Sequence, residues 1–285
     1  MEKIAIITDT AADLSKDSID KYNIRVLPFR IIYKDREYKD GVDITAEYVY
    51  RNLSKEMPKS SLPSMNDMDK LYENLENEGY THVIAITLSS GLSGIYNGIK
   101  VVSESHNKIK SFVYDSKSIS MGEGAFAIYC ARLIEEGKSF EEIINSLDSY
   151  KKKIKLYFVV GTLEYLKKGG RIGKVAGTIA ELLDIKPIIS PSNEDGKYYT
   201  YAKVRGRKKS LNVLIKLSKE ISNDKKYIAY LMSGDAKEET DKIGKEIEQL
   251  PNITKVILGG NISPVSGVHS GPGLVGLVLV EDETI

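Results

Sequence analysis

The chain has 285 residues, enough to bury a substantial core and to divide into two domains. It is 41% hydrophobic and 28% charged with a net charge of +1, a balance that supports neither nucleic-acid binding nor general attachment to a membrane surface. Its one cysteine, Cys130, excludes an internal disulfide and fits a reducing compartment; set beside Ala125-Phe126-Ala127-Ile128-Tyr129 it reads as a buried, inert thiol.

The opening Met1-Glu2-Lys3 runs straight into a strand-like stretch, unlike a secretory signal. No apolar run approaches the ~20 residues that span a bilayer. The expectation is a cytoplasmic protein without stable membrane insertion. Residues 3–7 form the first predicted strand, closed by Thr8-Asp9-Thr10-Ala11-Ala12-Asp13-Leu14-Ser15, where Asp and Thr suit the cap of a helix reaching about residue 22. Residues 24–33 read as extended, with Pro28 marking an edge or bend, and a return strand is expected near Tyr38. Asp43-Ile44-Thr45 opens a helix to about residue 54. Pro58 and Pro63 then forbid a continuous helix, so 57–64 reads as a hydroxyl-rich loop. An amphipathic helix over 66–78 leads into an apolar strand over 82–87.

The next stretch, Leu88-Ser89-Ser90-Gly91-Leu92-Ser93-Gly94, joins that strand to a helix expected over 93–105. A strand, a Ser/Gly turn and a helix in this order bring hydroxyls and free amides to a positive helix end, which favours a carboxylate or phosphate. The same turn also serves as an ordinary helix cap, and Ser93 in particular reads either way.

The alternation continues with a strand over 109–114, a turn at Asp115-Ser116-Lys117-Ser118, and helices over 122–136 and 139–152. The last opens with a capping box, Ser139-Phe140-Glu141-Glu142. Strand and helix in alternation imply a parallel sheet covered by helices. After about residue 155 the pattern changes. Strands are expected at 156–160, 186–189 and 197–204, the last two a hairpin about Asn193-Glu194-Asp195-Gly196, and further strands at 226–232, 253–258 and 275–280. Helices are expected at 163–166, 175–183, 208–222 and 238–250, with a flexible basic turn at Lys168-Gly169-Gly170-Arg171. The fold class is therefore α/β in two domains: a parallel-sheet domain over 1–155 and a mixed-sheet α/β domain over 156–285.

Several blocks occur in a diagnostic order. They are Ile7-Thr8-Asp9-Thr10 with Asp13-Leu14, Lys59-Ser60-Ser61-Leu62-Pro63-Ser64, the Ser-rich turn with Tyr96, and Asp115-Ser116 followed by Gly122 and Gly124. The second half adds Gly169-Gly170-Arg171-Ile172, Lys186-Pro187, Lys203-Val204-Arg205 and Val268-His269-Ser270-Gly271-Pro272-Gly273. Together they resemble the DegV family of bacterial lipid-binding proteins over the full chain. The departures are Leu62, where the family usually has Gln, and Ser for Thr at Ser60 and Ser270.

The resemblance implies a fatty acid in a tunnel between two α/β domains. It implies delivery of the acyl chain to a fatty-acid kinase, which phosphorylates the bound carboxylate to an acyl phosphate for phospholipid synthesis. It implies no cofactor beyond the bound fatty acid. A desolvated carboxylate needs several converging donors; the candidates are Ser60, Ser61, Ser90, Gly91, Ser93, His269 and Ser270. His269 is expected in a glycine-bearing loop, whereas His82 and His106 suit surface or packing roles. Phe29, Ile31 and the 175–183 helix are candidate walls, and burying a chain of ~16 carbons would contribute about 11 kcal/mol at about 0.8 kcal/mol per CH₂, before ordering costs. Arg171 and Arg205, the latter in the run Lys203-Val204-Arg205-Gly206-Arg207-Lys208-Lys209, are candidates for docking the kinase.

Three other readings compete. A serine hydrolase is disfavoured because Gly91-Leu92-Ser93-Gly94-Ile95 lacks the second glycine of a nucleophile elbow. Gly271-Pro272-Gly273-Leu274-Val275-Gly276 fits a dinucleotide fingerprint in letters only, with too little chain after it for the rest of such a fold. A carrier for another anionic amphiphile, such as an isoprenoid phosphate, would use the same donors. The three histidines are scattered and show no metal-ligand spacing.

Overall fold

The computed structural model describes residues 2–178 and 184–282. Ile4–Asp9 (β1) and His82–Thr87 (β6) are apolar runs buried along almost their whole length, as strands covered on both faces must be. With Arg25–Leu27 (β2) and Lys110–Asp115 (β7) they form a four-stranded sheet in the order β2-β1-β6-β7, parallel throughout. Lys16–Tyr22 (α1), Ala46–Asn52 (α2), Met65–Asn77 (α3), Ile95–Ser105 (α4), Met121–Glu135 (α5) and Phe140–Lys151 (α6) are the helices of this half. Helix α5 packs on β1 and β6, and α4 on β6 and β7. The expected capping box is present on α6, where Ser139 and Glu142 bond each other's amides, and α3 carries the same device from Ser64 and Asp67. Cys130 is fully buried in α5, and burial pushes its thiol pKa up.

Two expectations are corrected here. Neither an Asp nor a Thr of the stretch 8–15 caps the first α-helix. Asp9 caps a 3-10 turn, Thr10–Ala12, which ends on Asp13 in the left-handed region (φ 51°), and α1 starts afresh with Ser15 as its cap. The stretch read as a loop contains a strand, Lys59–Ser61 (β5), paired antiparallel with Arg30–Ile32 (β3). Together with Glu37–Lys39 (β4) these make a separate three-stranded sheet, β4-β3-β5.

The second half builds a six-stranded mixed sheet from Ile154–Val159 (β8), Ile188–Pro191 (β9), Tyr198–Ala202 (β10), Tyr227–Gly234 (β11), Ile253–Asn261 (β12) and Leu274–Glu281 (β13). The order is β10-β9-β8-β13-β11-β12, with only β11 and β12 parallel. Arg207–Ile221 (α8) and Lys237–Glu248 (α9) pack on one face, closing a core of Leu214, Ile243 and Ile247 against Val159, Leu231 and Leu277. The strands' alternate residues, among them Leu156, Phe158, Met232 and Val278, turn the other way and join the larger core of the first half. The helix expected over 175–183 is a 3-10 segment, Gly173–Thr178, where it is described; 179–183 lie outside the described residues. Among the described residues no helix is long and apolar enough to cross a membrane.

Two short helices remain, Glu164–Lys168 (α7) and Pro264–Ser270 (α10). The second was expected to be a loop, and it is the element that connects the halves, packing on α2, α7, β3 and β5. Glycines set the approach of α5 to the 3-10 turn: a Cβ on Gly124 would lie 2.6 Å from the Ala12 carbonyl oxygen and 2.9 Å from Leu14 Cδ2. Gly124→Ala is therefore expected to cost about 1–3 kcal/mol through overpacking. Urea unfolding measures it, and an unchanged midpoint would show that the contact relaxes freely.

Candidate functional site

Between the inner face of the six-stranded sheet and the loops of the first half lies a cavity. Its walls are mostly apolar: Phe29, Leu88, Leu92 and Ile119 from the first half, Leu156, Phe158, Met232 and Val278 from the second. Of the walls expected from sequence, Phe29 lines it; Ile31 is buried in the core behind, and Val175 is likewise core.

Polar groups line this cavity from six separate segments: Asp13 after the 3-10 turn, Ser60 on β5, Ser93 before α4, Ser120 before α5, Arg171 after α7, and Ser266, His269 and Ser270 on α10. Ser60 Oγ and His269 Nε2 are 2.7 Å apart. His269 Nδ1 is buried without a partner and faces Gly169, where a Cβ would stand 2.2 Å away, so the expected flexible basic turn is in fact a close-packed backing for the imidazole. Burial, helped by the Arg171 charge, holds the His269 pKa down to about 4. The ring is thus neutral near pH 7. If Nε2–H donates to Ser60 Oγ, the serine's own hydrogen is left to donate to a ligand.

Arg171 supplies the positive charge. Its Nε donates to the Leu92 carbonyl at 3.2 Å and its Nη1 to the Gly169 carbonyl at 2.6 Å, neutral acceptors that fix the guanidinium without cancelling it. Among the described residues no carboxylate pairs with it. Its predicted place on an outward docking surface is therefore corrected: it lines the cavity. Arg205 is exposed, as docking requires, but its neighbour Arg207 is taken up by a two-point ion pair with Glu239.

The Ser-rich turn divides its labour. Ser93 lines the cavity, and its Oγ accepts from Ile95 N at 3.3 Å at the positive end of α4. Ser90 does not line it: the hydroxyl is exposed and donates to Asp115 Oδ2 at 2.5 Å. Gly91 is also elsewhere, because a Cβ there would meet the Asp195 carbonyl at 2.3 Å, and Ser89 Oγ donates to the Gly196 carbonyl at 2.9 Å. These residues dock the β9–β10 hairpin turn onto the first half. Ser61 is exposed, as the strand alternation that turns Ser60 inward demands. Leu62, where the resemblance expects Gln, packs beside the turn, with its Cδ1 3.6 Å from a Cβ built on Gly94. His106 stacks on Tyr72 and bridges Glu76 and Asp69, a packing role.

Residues that the sequence reading did not assign to the site hold it together. The Ser263 amide at the start of α10 donates to Asp13 Oδ1 at 2.7 Å, and the Val265 amide to Asp40 Oδ2 at 3.0 Å. Thr10 Oγ1 also donates to Asp40 Oδ2, at 3.0 Å. Two carboxyls thus hold the first turn of the helix that carries His269. Burial raises the Asp13 pKa to about 6 and those of Asp40 and Asp9 to about 7, while Glu123, also buried and facing the Asp9 charge, is raised well above the usual carboxylate range. Among the described residues no three His, Cys, Asp or Glu side chains are grouped to hold a metal ion.

Residues 3–282 match the model of a family described as "Uncharacterised protein, DegV family". The chain belongs to the DegV family. A DegV domain-containing protein of Clostridium acetobutylicum is 61% identical over 282 residues, covering 99% of this chain and 100% of that one. Among solved structures, a fatty acid binding DegV family protein from Streptococcus agalactiae superposes with a TM-score of 0.90 at 31% identity, covering 99% of this chain and 100% of that one. A stearic acid-binding protein from Eubacterium ventriosum superposes at 0.87 with 31% identity, covering 98% of each chain. The DegV fold of two α/β layers enclosing a cavity is thus the fold of this chain.

The buried carboxyls make a pH signature. Folded Asp9, Asp13 and Asp40 hold protons more tightly than the unfolded chain, where Asp titrates near 3.8; their stabilisation is complete below that value and is lost as pH rises through about 6 to 7. His269 acts oppositely, since its depressed pKa costs stability as pH falls from 6.5 towards 4. In Asp40→Asn the amide oxygen still accepts from Val265 and Thr10 with no charge to bury. Its urea midpoint is expected to fall less steeply than the wild type's from about pH 6 to about pH 8; parallel curves would refute the assignment.

Proposed function

We propose that this protein binds a long-chain fatty acid, the chain lying in the cavity between the two halves and the carboxylate meeting Ser60, Ser93, Arg171, His269 and Ser270. The observation that carries this reading is the meeting of six polar segments, Arg171 among them, in an otherwise apolar cavity between the halves. The similarity to the fatty acid binding DegV family protein of S. agalactiae and the stearic acid-binding protein of E. ventriosum supports it. Arg171 provides the countercharge, and the serine hydroxyls and neutral imidazole provide hydrogen bonds that a desolvated carboxylate requires. The apolar walls hold the tail through area removed from water.

The same geometry weighs against a serine hydrolase. Ser60 and His269 stand at hydrogen-bond distance, yet Nδ1 has no acid to orient it, and a ring with a pKa near 4 is a weak base at neutral pH. The protein is accordingly read as a carrier. A partner kinase would supply nucleotide and metal and phosphorylate the carboxylate to an acyl phosphate for phospholipid synthesis. Arg205, exposed beside Lys208 and Lys209, is the proposed docking residue for that kinase.

Native mass spectrometry followed by organic extraction tests the ligand. A bound mass of roughly 14 to 18 carbons is expected from the burial argument. A protein that comes empty and takes up no added acid would overturn the reading. Ser93→Ala with His269→Ala is expected to weaken retention at least about tenfold, at about 1–3 kcal/mol for each lost bond to a charged group; full retention would remove both from the site. Arg205→Ala should load normally while slowing acyl-phosphate formation by a fatty-acid kinase, and an undiminished rate would end the docking proposal.

A further inference from the structure

A second cleft lies beyond the wall of the first cavity. Strands β8 and β9 pair at Phe158↔Ile189, and a cleft opens beside them towards Ile154 and Pro191. The turn after β7 and the end of α6 close it. Leu156 lines both cavities and separates them, backed by Gly122, where a Cβ would stand 2.8 Å from Leu156 Cδ1.

Unlike the first cavity, this one is polar and basic. Lys117, Lys151 and Lys155 reach it from three different elements. Lys117 Nζ donates to the Glu194 carbonyl, and Lys155 Nζ to the Lys152 carbonyl at 3.0 Å, so both ammoniums are positioned by neutral oxygens and keep their charge. Lys151 is partly buried, and among the described residues its ammonium has neither a hydrogen bond nor an ion pair. Burial and the Lys117 charge lower its pKa. Two acids, Asp115 and Asp148, act on it through their charge, and each is hydrogen-bonded by neutral donors. Asp115 accepts from Ser90 N and Oγ and from Lys117 N, and Asp148 accepts from Tyr114 Oη at 3.0 Å. Neither forms an ion pair with a lysine of the cleft. Hydroxyls add to the lining: Ser118 and Tyr199, and Ser190, whose hydroxyl makes a long bond of 3.4 Å to the Pro191 carbonyl.

We infer that this cleft is an anion site whose ligand carries a phosphoryl group, bound by Lys151 with Lys117 and Lys155. A partly buried ammonium outside any ion pair, beside two more, is only partly offset by Asp115 and Asp148: three cations against two carboxylates leave net positive charge that an anion would neutralise. Three separate cations and several hydroxyls suit a dianion with three or four oxygens better than a carboxylate with two. Lysine serves phosphate as a point charge and needs no planar match. The inference does not depend on what the first cavity holds.

The test is calorimetric titration of the purified full chain with inorganic phosphate, at constant ionic strength against chloride. Saturable one-to-one binding is expected, weakened at least about tenfold by Lys151→Gln and held within about threefold by Lys151→Arg, since charge and not shape is the requirement. Thermal unfolding of each variant confirms that it is folded. Titration with ribose 5-phosphate separates the sources: tighter binding than phosphate means an organic ester fills the remaining space, and weaker binding means free phosphate is the ligand. No saturation above chloride overturns the inference. So does binding that Lys151→Gln leaves intact, which would mean an adventitious ion only.

Discussion

The first turn of α10 hangs from two buried carboxyls, and the geometry of the cavity depends on that attachment. Asp13 takes the Ser263 amide and Asp40 the Val265 amide, each reaching across from the first half of the chain. A helix of seven residues has too few internal bonds to persist on its own, so its position is set by what holds its ends and faces. Pro264 at its first position has no N–H to satisfy, and the amides on either side of it are the ones the carboxyls accept. With its start fixed, α10 brings His269 against Ser60 and Gly169, and Ser270 to the cavity wall.

That attachment has an electrostatic cost which the structure distributes. Asp9, Asp13, Asp40 and Glu123 are buried near one another, and among the described residues none of them is matched by a basic side chain. They are tolerated because amides and hydroxyls replace water at several of their oxygens, and because protons are within reach near neutral pH. The positive charge of the site, on Arg171, is held apart by backbone carbonyls of Leu92 and Gly169. Acid on one side and guanidinium on the other leave a cavity that is apolar along most of its wall and positive where a carboxylate would sit.

The two sheets are joined at a second place by the Ser-rich turn, and this explains why its residues have such different surroundings. Gly91 admits the Asp195 carbonyl, Ser89 bonds Gly196, Ser90 ties the turn to Asp115, and of the donors expected within this turn Ser93 alone faces the cavity. A turn that secures an interface on one side and opens a ligand site on the other explains its dense packing of small residues without every hydroxyl being a contact.

What the sequence alone determined was local: buried apolar runs for β1, β6 and β13, the Ser139–Glu142 capping box, the Asn193–Gly196 hairpin turn, and the change from parallel alternation to a mixed sheet. Each of these rests on neighbours within a few residues, where periodicity and caps act. The order of motifs also pointed to the family and to Ser60, Ser93, His269 and Ser270. Tertiary structure alone decided the rest. Strand β5 exists because β3 pairs with it, and α10 shows no amphipathic stripe because Pro264 to Val268 are all buried. Arg171 turns inward because Leu92 and Gly169 capture its guanidinium, and Ser90 turns away because Asp115 captures its hydroxyl. Partners that lie more than twenty positions away, as Leu92 and Asp115 do, leave no trace in local spacing, and the long-range hydrogen bond then decides which of two equivalent side chains becomes part of a site.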